Sequence, residues 1–99
     1  MKNKPAYLVS NCFVSDGAGM ARYVEDVRPI LEKYNGKVIV LERNVSVLEG
    51  SAAAPVLVLI EFPSIDDARN FYAAPEYQPI KQLRIDATEG GFLALAESL

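Results

Sequence analysis

The run Val56 to Phe62 (VLVLIEF) is apolar at every position except Glu61. A strand sends successive side chains to opposite faces. Val56, Val58, Ile60 and Phe62 therefore line one face, and Leu57 and Leu59 the other. An antiparallel sheet with one wet face alternates apolar and polar residues, and this strand does not. Both faces of its sheet need a cover. A chain of 99 residues is one domain's worth of polypeptide. At that size folding buries only roughly 60–70% of the unfolded surface, so the core is thin.

The remaining elements follow from pattern. Ala6 to Val14 (AYLVSNCFV) has strand length and is rich in β-branched and aromatic residues. Asp16 is placed to cap a helix, because a carboxylate accepts the free N–H groups of a helix start. Met20, Val24, Val27, Leu31 and Tyr34 then fall on one helical face, which predicts a helix over 18–34. Pro29 predicts a kink or split near Arg28, and Asn35-Gly36 a stop.

Lys37 to Leu41 predicts a second strand, with the alternating Asn44 to Glu49 extending it beyond a bulge or bend. Ser64 caps a second helix that runs to about Ala74 and ends at Pro75. Glu76 to Ala87 predicts a further helical piece with Pro79 in its first turn, and Gly90-Gly91 leads to a last strand, Phe92 to Glu97. The order β-α-β-β-α-β implies an α+β, ferredoxin-like domain spanning residues 1–99: a four-stranded antiparallel sheet with its helices on one face. The uncovered face then calls for a second protein surface. Another copy of the chain is the simplest, giving a homodimer built as an α/β barrel.

Missing residues exclude much chemistry. The sequence has no histidine, so one chain holds no Ser-His-Asp or Cys-His relay and no His-ligated metal. Any proton transfer falls to a carboxylate, Lys, Tyr or Cys with a shifted pKa. The single cysteine, Cys12, forms no internal disulfide, which favours a reducing, cytoplasmic setting. No apolar stretch approaches the roughly 18–20 residues of a membrane span. Net charge is −3 with Lys and Arg scattered, which argues against nucleic acid as a partner.

Several stretches resemble the small bacterial proteins of the family named domain of unknown function 1330. They are Tyr7-Leu8-Val9 with Asp16, Tyr23, Pro29-Ile30-Leu31, Tyr34-Asn35-Gly36 and Val47-Leu48-Glu49-Gly50. The most specific are Val58 to Ser64, Ala68-Arg69, Phe71-Tyr72 and Pro75-Glu76-Tyr77-Gln78-Pro79, ending at Arg84. The resemblance implies a dimeric α/β barrel and no established activity. Two departures stand out. Tyr34 is followed by Asn-Gly where the family usually has Gly-Gly, and an arginine the family often carries after the second strand is displaced by two residues to Arg43.

Five residues are candidates for a site. Glu61, inside an apolar strand, suits a general base if burial raises its pKa, or it pairs with Arg84 or Arg43. Arg84 can clamp a carboxylate or enolate, or bridge to Glu76 or Glu61. Tyr23 and Tyr72 either line a cavity with their hydroxyls or pack the core. Asn11 either orients a ligand or satisfies its amide near a strand end. Two functions remain open. One is an enzyme without metal or bound redox cofactor, monooxygenase-like or isomerase-like, acting on a small anionic or enolisable molecule, with Glu61 and Arg84 catalytic and Asn11, Tyr23 and Tyr72 shaping the pocket. The other is a non-catalytic homodimeric module that binds a small ligand or a protein partner.

Overall fold

The computed structural model describes residues 4–51 and 53–99. The elements run β1 (Ala6–Val14), α1 (Gly17–Lys33), β2 (Lys37–Glu42), β3 (Val56–Phe62), α2 (Ile65–Ala73), α3 (Gln78–Ala87) and β4 (Thr88–Glu97). The four strands form one antiparallel sheet in the order β2-β3-β1-β4. This is the ferredoxin-like α+β fold, with the second crossover made of two helices.

The register fixes which residues share a face. Leu8 lies across from Ile60 on one side and Leu95 on the other, and Ser10 across from Val58 and Leu93. These positions face the helices. With Phe62 they meet Val27, Ile30 and Leu31 of α1, Ala68 and Phe71 of α2, and Ala74 and Tyr77 of the α2–α3 turn in one core. Phe71 is its centre, with ring centroids 5.6 Å from Phe62 and 4.5 Å from Tyr77. Tyr7, Val9, Leu57, Leu59 and Val40 alternate with that set and point to the other face.

Both caps form as the sequence predicts. Asp16 accepts from the Gly19 N–H at 3.1 Å and Ser64 Oγ from the Asp67 N–H at 3.1 Å. Asn35 ends α1 with φ of 66°, the left-handed conformation that asparagine tolerates. Pro79 sits in the first turn of α3, where a missing N–H costs little.

Three expectations need correction. Pro29 does not split α1, which runs unbroken from Gly17 to Lys33. The proline is exposed, while Val27, Ile30 and Leu31 around it are buried in one core and hold the helix on both sides of it. Residues 44–49 do not extend β2. The Asn44 N–H bonds the Glu42 carboxylate, and the Val45 N–H reaches the Pro55 carbonyl, so the chain closes a loop instead. The last strand starts earlier, at Thr88, and carries Gly90 and Gly91 inside it with φ of 65° and 73°. A β-carbon on Gly91 would lie 1.7 Å from the Asn11 carbonyl oxygen. Glycine is the residue that lets β4 cross β1 at the irregular register between Asn11 and Phe13.

Candidate functional site

The helices cover their face of the sheet unevenly. α1 packs mainly on α3, and the helix-facing residues of β2 stay open: Val38 is 48% and Leu41 54% exposed. A cavity of about 1060 Å³ lies between α1 and the sheet. Its floor is Ser10 and Cys12 of β1, Val56, Val58 and Ile60 of β3, and Val38 and Leu41 of β2. Met20, Tyr23, Val24, Val27 and Leu31 of α1 form its roof.

The polar end of this cavity is built by three residues. Tyr77, buried at the start of α3, and Arg84, seven positions on, stand two helical turns apart and so on one side of the helix. The Tyr77 and Tyr23 hydroxyls lie 2.9 Å apart, with their rings edge to face at 6.4 Å. The Arg84 guanidinium sits against both phenols, and the Thr88 hydroxyl donates to the Arg84 carbonyl at 2.8 Å.

Arg84 has no carboxylate partner among the described residues. The ion pairs among the described residues are Arg22 with Asp26 at 3.8 Å and Lys33 with Glu76 at 2.6 Å. Neither involves Arg84, and its Nε–H is buried with no acceptor among the described residues. The alternative reading of Arg84 as a partner of Glu76 is answered: the Glu76 carboxylate takes the Lys33 ammonium at 2.6 Å and the Tyr34 hydroxyl at 3.2 Å. An anion from outside would give the Arg84 Nε–H the acceptor it lacks.

The neighbouring groups are neutral donors. Burial, then Tyr77, pushes the Tyr23 phenol well above its ordinary pKa, against a smaller opposing pull from Arg84. Burial also raises the Cys12 thiol, with Arg84 pulling the other way. A neutral thiol is a weak nucleophile. For Arg84, burial works against the charge, and the Tyr77, Tyr23 and Tyr72 oxygens outweigh it, leaving the guanidinium above its usual value.

Of the other expected site residues, Asn11 also lines the large cavity, and Glu61 and Tyr72 do not. Glu61 and Arg84 are not brought together. Glu61 lies on the open face of the sheet, directly across from Tyr7 on β1 and Lys37 on β2. Desolvation and the Glu61 carboxylate raise the Tyr7 phenol. Asn11 is 4% exposed, and its amide is already used. It donates to the Ala54 and Val56 carbonyls at 2.8 and 2.9 Å and accepts from the Ala54 N–H at 3.1 Å. Its observed contacts pin the end of the 43–55 loop to β1.

Tyr72 lines a separate groove of about 480 Å³ with Arg69 and Leu93, its ring centroid 6.0 Å from that of Tyr77. The Lys81 ammonium lies 5.0 Å from its ring centre. Tyr77 joins the cluster from a position that reads, between Pro75 and Pro79, as a turn residue. The signal that locates it is its seven-residue spacing from Arg84.

A family model described as Domain of unknown function (DUF1330) matches residues 5–98. The chain belongs to that family. No curated protein matches it in sequence. Among solved structures, a protein of unknown function from Rhodopseudomonas palustris superposes with a TM-score of 0.81 at 19% identity, covering 99% of this chain and 85% of that one. A dimeric, ferredoxin-like protein of unknown function from Bacteroides fragilis gives 0.60 at 13% identity over 99% of this chain and all (100%) of that one. A hydroxynitrile lyase from Passiflora edulis gives 0.67 at 13% identity over 100% and 96%. At such identities the likeness carries the fold alone. The arginine displaced from the family pattern, Arg43, lines the rim of the large cavity in this DUF1330 chain.

Proposed function

We propose that this DUF1330 protein binds a small organic anion, a carboxylate or the enolate of a carbonyl compound, in the cavity between α1 and the sheet. Its anionic oxygens take the Arg84 guanidinium, and the Tyr23–Tyr77 hydroxyl pair supplies a further donor. The observation that carries this reading is the Arg84 Nε–H, buried and without an acceptor among the described residues. Guanidinium is suited to forked contact with a carboxylate, and the apolar walls strengthen that contact by excluding water.

The site's interior groups donate protons or hold charge. It is equipped to bind an oxyanion, or to stabilise one that develops during a reaction. Glu61, on the other face, takes no part in this reading. The open face of the sheet is the homodimer interface in this reading, as the dimeric ferredoxin-like relatives support, with Val9, Leu57, Leu59 and Val40 at its apolar centre.

The test is calorimetric titration of the full chain with anilinonaphthalene sulfonate, a permanently anionic, largely apolar probe. A charge-assisted hydrogen bond contributes about 1.5–3 kcal/mol, so Arg84→Gln is expected to weaken binding by roughly tenfold or more. Equal affinity for the two proteins, or no binding to either, would overturn the reading.

A further inference from the structure

We infer that the ligand is a monoacid with an extended apolar tail, its acid group on Arg84 and its tail laid across β3 toward β2. This rests on the anion site of the preceding reading and adds the class of molecule that fills it. Three observations on the cavity carry it.

The first is charge. Arg84 is the one charged side chain of the cavity that belongs to its inner cluster of phenols. The other charged lining residues, Arg28, Glu32 and Arg43, are exposed and of mixed sign. One inner cation calls for one anionic group, and two polar ends would waste the rest of the walls.

The second is the path leading away from Arg84. Arg84 and Cys12 of β1 line the same cavity. Cys12 pairs across to Val56, Ser10 to Val58, and Val58 in turn to Leu41 of β2. Two inter-strand steps separate β1 from β2, a span of about 10 Å. Every helix-facing side chain along β3 and β2 on that route is aliphatic, and Val24, Val27 and Leu31 of α1 also line the cavity.

The third is what remains uncovered. Val24 is 46%, Val38 48% and Leu41 54% exposed, and all three line this one cavity. Its volume of about 1060 Å³ is at the upper end for drug-sized ligands. A two- or three-carbon acid on Arg84 would leave these residues as exposed as before. An aliphatic tail of middle length would cover them and gain from every methylene it removes from water.

The experiment is displacement of the sulfonate probe by acetate, hexanoate, decanoate and decanol, on the wild type, Arg84→Gln and Leu41→Ser. Leu41 is exposed, and thermal melts confirm that each variant is folded. A buried methylene contributes about 0.8 kcal/mol, roughly fourfold in affinity. The expected result is a rise of up to that factor per methylene from hexanoate to decanoate. Decanol should bind far more weakly than decanoate, and Leu41→Ser should cost decanoate more than hexanoate. Acids that bind in an Arg84-dependent way with no gain from chain length would overturn the tail and leave the anion site standing. A gain with chain length that is the same for decanol and survives Arg84→Gln intact would overturn the anion site itself.

Discussion

The two faces of the sheet are nearly equal in apolar content and opposite in what they leave unanswered. β3 supplies both, with Val56, Val58 and Ile60 toward the helices and Leu57 and Leu59 away from them. On the open face Glu61 has a phenol and an ammonium as cross-strand neighbours, Tyr7 and Lys37, and a second acid, Glu42, stands across from Leu57. On the helix face Arg84 has phenols beside it and no carboxylate. The open face is a sheet surface on which charges of opposite sign, Glu61 and Lys37, are cross-strand neighbours, and a second sheet suits it. The helix face is concave and holds a guanidinium with no carboxylate partner among the described residues, so a small anion suits it. An apolar strand therefore does not say what will cover it; the shape and polar groups of each face do.

The largest expected effect breaks one face and spares the other. Leu59→Asp would bury an unpaired charge in the proposed dimer interface, at a cost of about 3–5 kcal/mol. Sedimentation velocity should then show dimerisation weakened roughly a hundredfold or more, while the sulfonate probe still binds. A variant that remains dimeric would remove the open face as the interface. Arg84→Met sharpens the contrast from the other side. Replacing the half-buried guanidinium, which has phenols but no carboxylate beside it among the described residues, with an apolar chain of similar length should change the stability of the ligand-free protein by no more than about 1 kcal/mol, read from denaturant unfolding. A clear loss of stability would mean that the charge has a partner inside the fold. The smallest effect belongs to Glu61→Gln, which should change probe affinity by less than about twofold, since surface changes away from a site are usually within about 0.5 kcal/mol. A large loss would return Glu61 to the anion site.

Much of this fold is legible in the residues because local chemistry and tertiary packing agree. Asp16 and Ser64 cap the helices the periodicity marks, and β1 and β3 fall where their apolar runs do. The departures occur where tertiary contacts override local signals. Residues 44–49 alternate as a strand would, yet the chain turns at Asn44 and β2 stays an edge strand. Gly90 and Gly91 read as a break, yet the close approach of β4 to the Asn11 carbonyl makes them part of a strand.

The site was half legible. Arg84 and Tyr23 stand out as a cation and a phenol on helices, and both reach the cavity. Glu61 and Asn11 stand out for being polar in apolar strands, but that pattern alone does not say which face or which backbone they serve. The face depends on register, and the amide's partners lie 43 and 45 residues away. Tyr77 reads as a turn residue between two prolines, although the helical piece expected over 76–87 already sets it seven residues from Arg84.

The most direct test of the central claim watches the orphan donor itself. In a proton–nitrogen correlation spectrum, the Arg84 Nε–H resonance is assigned by its disappearance in Arg84→Gln and followed as decanoate is added. The account predicts a progressive downfield shift of that resonance, saturating with the binding curve and absent with decanol. A resonance that stays in place while decanoate saturates the protein would contradict it.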